Sequence, residues 1–302
     1  MDSKQLRISR KSNKIKEPRG DRIFNVINIT VILILSLSMV APFLNLLAVS
    51  LSSSTAITLG KVNFIPKEFN LDSYKFVMQD NMFWSGFRNS LFITFTGTLL
   101  AMVVTTLAAY PLARSKFKGK KVVTVILVIT MVFSAGLIPS YVIIKTIGIM
   151  DSPWAIILPS LVSAYNVFLV KNYFETLPES LIESAQIDGA NEFQIFLKIV
   201  LPLSLPTLAT VGLFFAVSYW NSYFGGMIYI STPSNMPLQT YLQGLLSLSE
   251  IPPHELPPDL AERVNAESVR AATIFAATLP ILLLYPFLQK FFVKGLVVGS
   301  DK

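Results

Sequence analysis

Long apolar runs alternate with shorter polar segments along this chain of 302 residues. A helix needs roughly 17–25 apolar residues to cross the hydrocarbon core of a membrane. Six runs have about this length and carry no charge away from their ends, so each predicts a transmembrane helix. The predicted spans are residues 23–51, 88–114, 122–144, 154–170, 201–223 and 271–289. The pattern therefore predicts an all-α membrane protein with six transmembrane helices.

The first apolar run can be interpreted as a membrane span or as a signal peptide. Its apolar core covers residues 23–51, which is longer than the roughly 7–15 residues of a signal-peptide core. We therefore interpret it as an uncleaved span. A cleaved signal is the alternative, because residues 47–54 resemble a processing site.

Composition and charge support a membrane protein of defined orientation. The chain is 52% hydrophobic and 14% charged, whereas soluble domains have about 25% charged residues. The net charge is +7, and the basic residues cluster before the first span and between the second and third. Because basic loops stay in the cytoplasm, these clusters favour two cytoplasmic termini over nucleic-acid binding. The predicted domains are a basic tail (1–22), a six-span domain (23–294) and a cytoplasmic C-terminal tail (295–302). Residues 52–87 and 231–266 are then predicted to be external loops and residues 145–153 a short external turn, with a short helix predicted at residues 237–248.

One loop, residues 171–200, is acidic although its predicted position is cytoplasmic, and we call it the acidic loop. Carboxylates at this surface suggest a protein partner rather than anionic lipid headgroups. The alternatives are a solvated helix face or a loop that only joins two spans. Its acidic side chains are Glu175, Glu179, Glu183, Asp188 and Glu192.

The acidic loop also contains signals for two helices. Thr176 and Glu179 have the spacing of a capping box, which predicts a helix start between them. Gly189 can adopt the left-handed conformation that ends such a helix, and Asn191 with Gln194 predicts a second one. Small side chains would let another backbone approach closely, and they are Ser184, Ala185, Gly189 and Ala190.

The spacing Glu183-Ser184-Ala185, Gly189 and Ile199-Val200-Leu201-Pro202 forms a recognisable motif. It resembles the cytoplasmic loop of ABC importer permeases, in which Glu-Ala-Ala precedes Gly and Ile-x-Leu-Pro at this spacing. Only the middle Ala is changed, to Ser184. In that family the loop is the coupling helix, which binds a cleft of the ATPase subunit. The resemblance implies ATPase-coupling roles for Glu183, Ser184, Ala185, Asp188, Gly189 and Ala190.

Other segments extend the resemblance over nearly the whole chain after the basic tail. Trp220-Asn221 resembles carbohydrate-importer permeases, and Tyr285 to Gly295 is similar to the LplC-type branch, within the group of the maltose permeases. The resemblance implies the type I ABC importer permease fold and import of oligosaccharides or polysaccharide fragments. It implies a second permease as heterodimer partner, two ATPase subunits and an extracytoplasmic sugar-binding protein. The location would be the bacterial plasma membrane, in contact with lipid.

The chain lacks residues for an energy source of its own. Neither Gly60-Lys61 nor Gly119-Lys120 has the spacing of a P-loop. The predicted spans hold no ionisable residue at mid-depth, where ion-driven carriers usually have one. With no Cys and one His, His254, expected on the surface, neither a metal site nor a catalytic residue is predicted. We expect no cofactor in this chain, with ATP and Mg bound by the partner ATPase.

Sugar sites generally combine aromatic faces with amide or hydroxyl groups. Spans four and five offer this mixture, and the substrate-path candidates are Tyr165, Asn166, Tyr219, Trp220, Asn221 and Tyr223. The alternative is that these residues form an interfacial belt or pack helices together. Two other functions stay open. One is the same architecture for another solute, such as a phosphorylated polyol or a charged oligosaccharide. The other is a channel or stand-alone secondary carrier.

Overall fold

A computed structural model describes residues 19–114, 118–248 and 265–297, and every regular element in these ranges is helical. The first helices are α1 (Arg19–Ser50), α2 (Ser54–Thr58), α3 (Asp72–Gln79), α4 (Asn81–Arg114), α5 (Lys120–Val132), α6 (Leu137–Ile147), α7 (Trp154–Ile157) and α8 (Ala164–Thr176). They are followed by α9 (Glu179–Ile187), α10 (Glu192–Ile195), α11 (Leu201–Leu203), α12 (Leu205–Trp220), α13 (Tyr223–Tyr229), α14 (Leu238–Leu248) and α15 (Ala266–Val297). Two 3-10 turns (Leu158–Ser160 and Pro233–Asn235) and a π-helical turn (Phe196–Val200) complete the set.

Two of the predicted spans are single long helices. The stretch Gly20–Ser50 of α1 has 31 residues and α4 has 34, and both are apolar enough to cross a membrane. The predicted sixth span, residues 271–289, lies within α15, which has 32 residues. Most of α1 is exposed, and its most apolar window has no buried residue. Such a surface is typical of a helix that faces lipid or another membrane subunit.

Spans three, four and five, which the sequence predicts as continuous runs, are each broken into two segments. α5 and α6 are bent by 115°, α7 with its 3-10 turn and α8 by 48°, and Glu192–Leu203 and α12 by 81°. α5 ends at the extended Phe133, and α8 starts anew where the Ser163 side chain accepts the N–H of Asn166. Pro206, in the first turn of α12, has no N–H to continue the preceding helix. Apolar length therefore predicted where the apolar helical segments lie, but it did not predict the breaks in their backbone hydrogen bonding.

The main core forms where α4 packs between α8 and α12. α4 contributes the fully buried Ile93, Ala101 and Ala109 to this core, and Phe174 and Phe215 reach it from the two neighbouring helices. Burying one such large apolar side chain stabilises a fold by about 1.5–3 kcal/mol. α4 is therefore the central helix of the protein.

α3 and α14, which lie in the two predicted external loops, form a second, smaller cluster with α15 and with the ends of α4 and α12. Its buried residues are Val77, Phe83, Trp220, Leu238, Leu242, Ala272 and Ala277. Ser73 donates to Ser268 at 2.9 Å, and Tyr241 donates to the carboxylate of Asp80. A short helix was predicted within residues 237–248, and α14 confirms it. His254, the proline-rich stretch around it and nearly all of the basic tail lie outside the described residues.

Candidate functional site

The first helix of the acidic loop, α9, starts later than predicted. Thr176 is the last residue of α8, and its hydroxyl donates to the Tyr173 carbonyl at 2.7 Å. It is therefore not available to cap a new helix, and α9 begins at Glu179 directly after the extended Pro178. The predicted capping box of Thr176 and Glu179 is wrong, because the preceding helix continues far enough to use the threonine.

Gly189 ends α9 in the predicted left-handed conformation, with a φ of +84°. The N–H of Gly189 bonds the Gln186 carbonyl at 3.0 Å, and the N–H of Ala190 bonds the Ala185 carbonyl at 2.9 Å. This pair of bonds is the Schellman arrangement, which satisfies the last carbonyls of a helix. Nothing lies within 4 Å of the position that a Cβ of Gly189 would occupy. The turn is thus fixed by two backbone hydrogen bonds, and it forms a tip with free space around Gly189.

The second helix of the acidic loop is capped as predicted. The Asn191 side chain accepts the N–H of Gln194 at 2.9 Å, and the Gln194 side chain accepts the N–H of Asn191 at 3.0 Å. This reciprocal capping box fixes the direction in which the chain leaves the turn. The chain then passes through the π-helical turn and α11 to Ser204, where the bend into α12 follows.

The acidic loop buries one face and exposes the other. Ile182 and Ala185 are buried in the main core, which also contains Leu112 near the end of α4. Ile187 is 86% exposed and Phe193 64% exposed. Both lie beside the tip at Gly189, so an apolar surface is presented to solvent within an acidic segment. Sequence reasoning missed these two residues, although large apolar side chains within a polar loop were a visible signal.

The predicted coupling residues divide between these faces. Glu183, Ser184, Asp188 and Gly189 are exposed, Ala190 is partly exposed and Ala185 is buried. The Ser184 hydroxyl donates within its own helix, to the Ser180 carbonyl at 2.8 Å. Ala185 therefore packs into the core, whereas the other predicted residues lie fully or partly exposed at the surface.

A cavity of about 490 Å³ lies where the broken spans three, four and five meet. Of the predicted path residues, it brings together Tyr165, which is 56% exposed, and Asn166, which is 6% exposed. Ser160 and Ser218 add hydroxyl groups to the same wall. The remaining lining residues are Thr130, Met131, Val162, Ser163, Ala164 and Phe215. The helix breaks thus place hydroxyl, amide and aromatic groups around one space.

The other path candidates lie elsewhere. Tyr219 is buried, lines a smaller cavity of about 280 Å³, and donates to the Ile157 carbonyl at 3.1 Å. Trp220 is buried with its ring edge-on to Phe87, at 6.1 Å between centroids. Asn221 donates back to its own helix at Val217, at 2.9 Å, and Tyr223 is 44% exposed. The structure does not bring these four residues into the larger cavity.

No group of three or more His, Cys, Asp or Glu side chains that could hold a metal ion occurs among the described residues. The side chains of the cavity and of the acidic loop offer hydrogen bonding, aromatic contact and surface charge. The fold and these two regions define a helical integral membrane protein with a polar cavity among broken spans and an exposed acidic loop.

Comparison with known proteins defines the class further. Residues 101–298 match the family described as "Binding-protein-dependent transport system inner membrane component". The match covers more than half of the chain, so this protein belongs to that family and is a membrane transport subunit.

The similar proteins include two of Bacillus subtilis (strain 168). The polygalacturonan/rhamnogalacturonan transport system permease protein YtcP is 37% identical over 290 residues, covering 93% of this chain and 99% of the relative. Protein LplC is 37% identical over 291 residues, which cover 94% of this chain and 96% of LplC. A solved chain of a bacterial ABC transporter for the acidic polysaccharide alginate has a TM-score of 0.85 and 32% identity, covering 91% of this chain and 99% of that chain.

Proposed function

We propose that this chain is the permease subunit of an ATP-driven importer for oligosaccharides or polysaccharide fragments. It would form half of the translocation pathway together with a second, different permease. The main support is the tip of the acidic loop, where Ile187 and Phe193 lie exposed beside Gly189 on a rigidly capped turn. Membership of a binding-protein-dependent family supports an extracytoplasmic receptor as a further partner.

The neighbours of the acidic loop support a cytoplasmic orientation for it. Arg114, at the end of α4, donates to the Leu177 carbonyl just before α9, at 3.3 Å. The basic segment after α4, with Lys118, Lys120 and Lys121, therefore starts at the same end of the molecule as α9. Basic segments stay in the cytoplasm, so α9 would face the cytoplasm. There it would serve as the coupling helix, contacting one of two ATPase subunits that bind ATP and Mg.

Six crossings are consistent with this orientation. α1, α4 and α15 would each cross once, and each of the three bent helix pairs would cross once as a broken span. An even number of crossings would put both termini on the same side of the membrane, and the basic tail would make that side the cytoplasm. Broken spans are tolerated in a membrane where the freed backbone groups line a cavity or are buried in protein, and the larger cavity lies at these breaks.

The larger cavity is the proposed contribution of this chain to the substrate path. No described hydrogen bond engages the side chains of Ser160, Ser218, Tyr165 or Asn166, which leaves them available to sugar hydroxyl groups. The Tyr165 ring could contact the apolar face of a sugar. Tyr219 and Trp220 are proposed to shape the path by packing against neighbouring helices rather than by contacting the substrate.

An acidic oligosaccharide is the second candidate substrate class, and two of the matched proteins favour it over a neutral sugar. The solved chain is from an importer of an acidic polysaccharide, and YtcP is named for polymers that contain galacturonic acid. The two classes differ in charge, so a panel of ligands separates them.

The test is purification of the chain in mild detergent with its partner subunits. The ATPase should be retained, and the receptor loaded with an oligogalacturonate or a maltodextrin should stimulate ATP hydrolysis. A phosphorylated polyol as the only stimulating ligand would contradict the sugar assignment. Transport by the purified chain alone, with no ATPase bound, would show a stand-alone carrier.

A further inference from the structure

The carboxylate of Glu192 connects two helices that are separate in sequence. Glu192 is the first residue of α10, directly after the turn that follows α9. Its Oε1 accepts a hydrogen bond from the Gln186 amide of α9 at 3.1 Å. Its Oε2 accepts a hydrogen bond from the Tyr110 hydroxyl of α4 at 2.7 Å. Each carboxylate oxygen thus accepts a hydrogen bond from a different helix.

The α4 end of this connection is firmly packed. The Tyr110 ring lies 4.9 Å from the Phe196 ring and 6.4 Å from the Phe174 ring, measured between centroids. α4 in turn packs against α8 and α12, which line the larger cavity. A displacement of Tyr110 would therefore also displace the helices around the proposed substrate path.

The other contacts between α9 and α4 have a different character. Ile182 and Ala185 belong to the same apolar core as Leu112, and apolar contacts are not directional. Arg114 holds the Leu177 carbonyl, which precedes α9. In the described part of the chain, the hydrogen-bonded path from α9 to α4 runs through Glu192. Hydrogen bonds to a carboxylate are directional and about twice as strong as neutral ones.

We propose that Glu192 is a positioning residue that transmits the movement of α9 to α4. The proposal rests on the proposed function, in which an ATPase moves α9. Apolar packing alone would let α9 slide or rotate against α4, whereas the two hydrogen bonds fix its orientation. Glu192 therefore governs how much of the ATPase movement reaches the substrate path, and not whether the ATPase binds.

Replacement of Glu192 by Ala removes both side-chain hydrogen bonds and leaves the exposed tip unchanged. Of the link to Tyr110 it keeps only the long 3.5 Å contact between the Tyr110 hydroxyl and the Glu192 backbone carbonyl. ATP hydrolysis should continue, while the amount of substrate transported per ATP should fall by roughly five-fold or more, the lower range of typical coupling between sites. Glu192→Gln should restore most of the ratio. Its amide oxygen can accept from Tyr110, and its N–H₂ can donate to Gln186 once that amide is flipped.

The experiment uses the complete transporter in proteoliposomes and measures transport and ATP hydrolysis together. The variants are Glu192→Ala, Glu192→Gln, Tyr110→Phe and the double variant Glu192→Ala/Tyr110→Phe. Tyr110→Phe keeps the ring packing and removes only the hydroxyl. The controls are Tyr74→Phe, which loses the 2.8 Å contact to Ser50, and the exposed Glu267→Gln.

The expected result is a lowered transport-to-hydrolysis ratio in both single variants, with no further fall in the double variant. Equal ratios in wild type and Glu192→Ala would overturn the proposal, and so would additive losses. Loss of ATPase binding in Glu192→Ala would also overturn it, because Glu192 would then only maintain the fold of the loop. Failure of the wild-type complex to hydrolyse ATP would instead contradict the proposed function.

Discussion

The ring of Tyr219 lies directly against Gly97 and fills the space that a side chain at this position would need. A Cβ at Gly97 would lie 2.8 Å from two ring atoms of Tyr219. The Tyr219 hydroxyl also bonds the Ile157 carbonyl. This single side chain therefore joins α4, α12 and α7, which explains why α4 needs a residue without a side chain here.

The first prediction concerns this contact. Gly97→Ala should destabilise the protein by about 1–3 kcal/mol, since inserting a methyl group into a packed interior forces side chains or backbone to move. Gly212→Ala is the matched control, because the nearest atom to its Cβ would be 3.7 Å away. Thermal unfolding of the purified complex should show a lower midpoint for Gly97→Ala only. Equal midpoints would show that Tyr219 can move aside at no cost.

The second prediction concerns the tip of the acidic loop. Gly189→Val should abolish transport while membrane insertion survives, because valine is strained at a φ of +84° and its bulk would block a partner. Gly60→Val is the matched control, since Gly60 also has a positive φ of +64° and open surroundings. It lies in the predicted external loop, away from the acidic loop. Normal transport by Gly189→Val would remove the coupling role from this turn.

The third prediction separates the larger cavity from the other path candidates. Tyr165→Ala should raise the substrate concentration for half-maximal transport roughly three- to ten-fold, as expected for loss of an aromatic contact. Tyr223→Ala, which lies outside this cavity, should change it little. ATPase binding is measured in parallel and should be the same in both variants. A large effect of Tyr223→Ala with none for Tyr165→Ala would place the sugar contacts elsewhere.

The fourth prediction concerns Asp151, in the short predicted external turn after α6. Its carboxylate accepts hydrogen bonds from the Thr232 hydroxyl and from the backbone N–H groups of Thr232 and Ser231. The Thr232 hydroxyl bond is the main cause that holds the pKa of Asp151 below its ordinary value. Its stabilising effect should therefore be complete above the unfolded pKa of about 4 and disappear as the pH falls through the lowered folded pKa.

Limited proteolysis of the segment around Thr232 measures this effect over a series of acidic pH values. Cleavage should increase on acidification of the wild type. In Asp151→Ala it should be high throughout, without that dependence on pH. The same pH dependence in both proteins would assign the change to another group.

Elements of the fold could be predicted from the sequence where one physical property was sufficient to locate them. Apolar length located α1, α4 and α15, and turn chemistry located Gly189 and the capping box of Asn191. Thr176 was misjudged because its hydroxyl can serve either the helix before it or the helix after it. Only the extent of α8 decides between these options.

The sites were harder to predict because they depend on contacts between distant segments. Tyr165 and Asn166 line a cavity at the breaks of three predicted spans, and apolar counting cannot detect such breaks. The bond between Tyr110 and Glu192 joins residues 82 positions apart. Ile187 and Phe193 are apolar like the core residues, and they are exposed only because they lie on the solvent-facing sides of their helices. The sequence alone does not show which side of each helix faces solvent.

The central claim is that the tip of α9 contacts a cytoplasmic ATPase, and crosslinking from one introduced cysteine tests it most directly. The natural chain has no Cys, so Ile187→Cys would carry the single thiol, with Leu59→Cys in the predicted external loop as control. In the assembled transporter, Ile187→Cys should crosslink to the ATPase subunit, and Leu59→Cys should not. Labelling of Ile187→Cys from outside the cell, or its failure to crosslink any ATPase, would contradict the account.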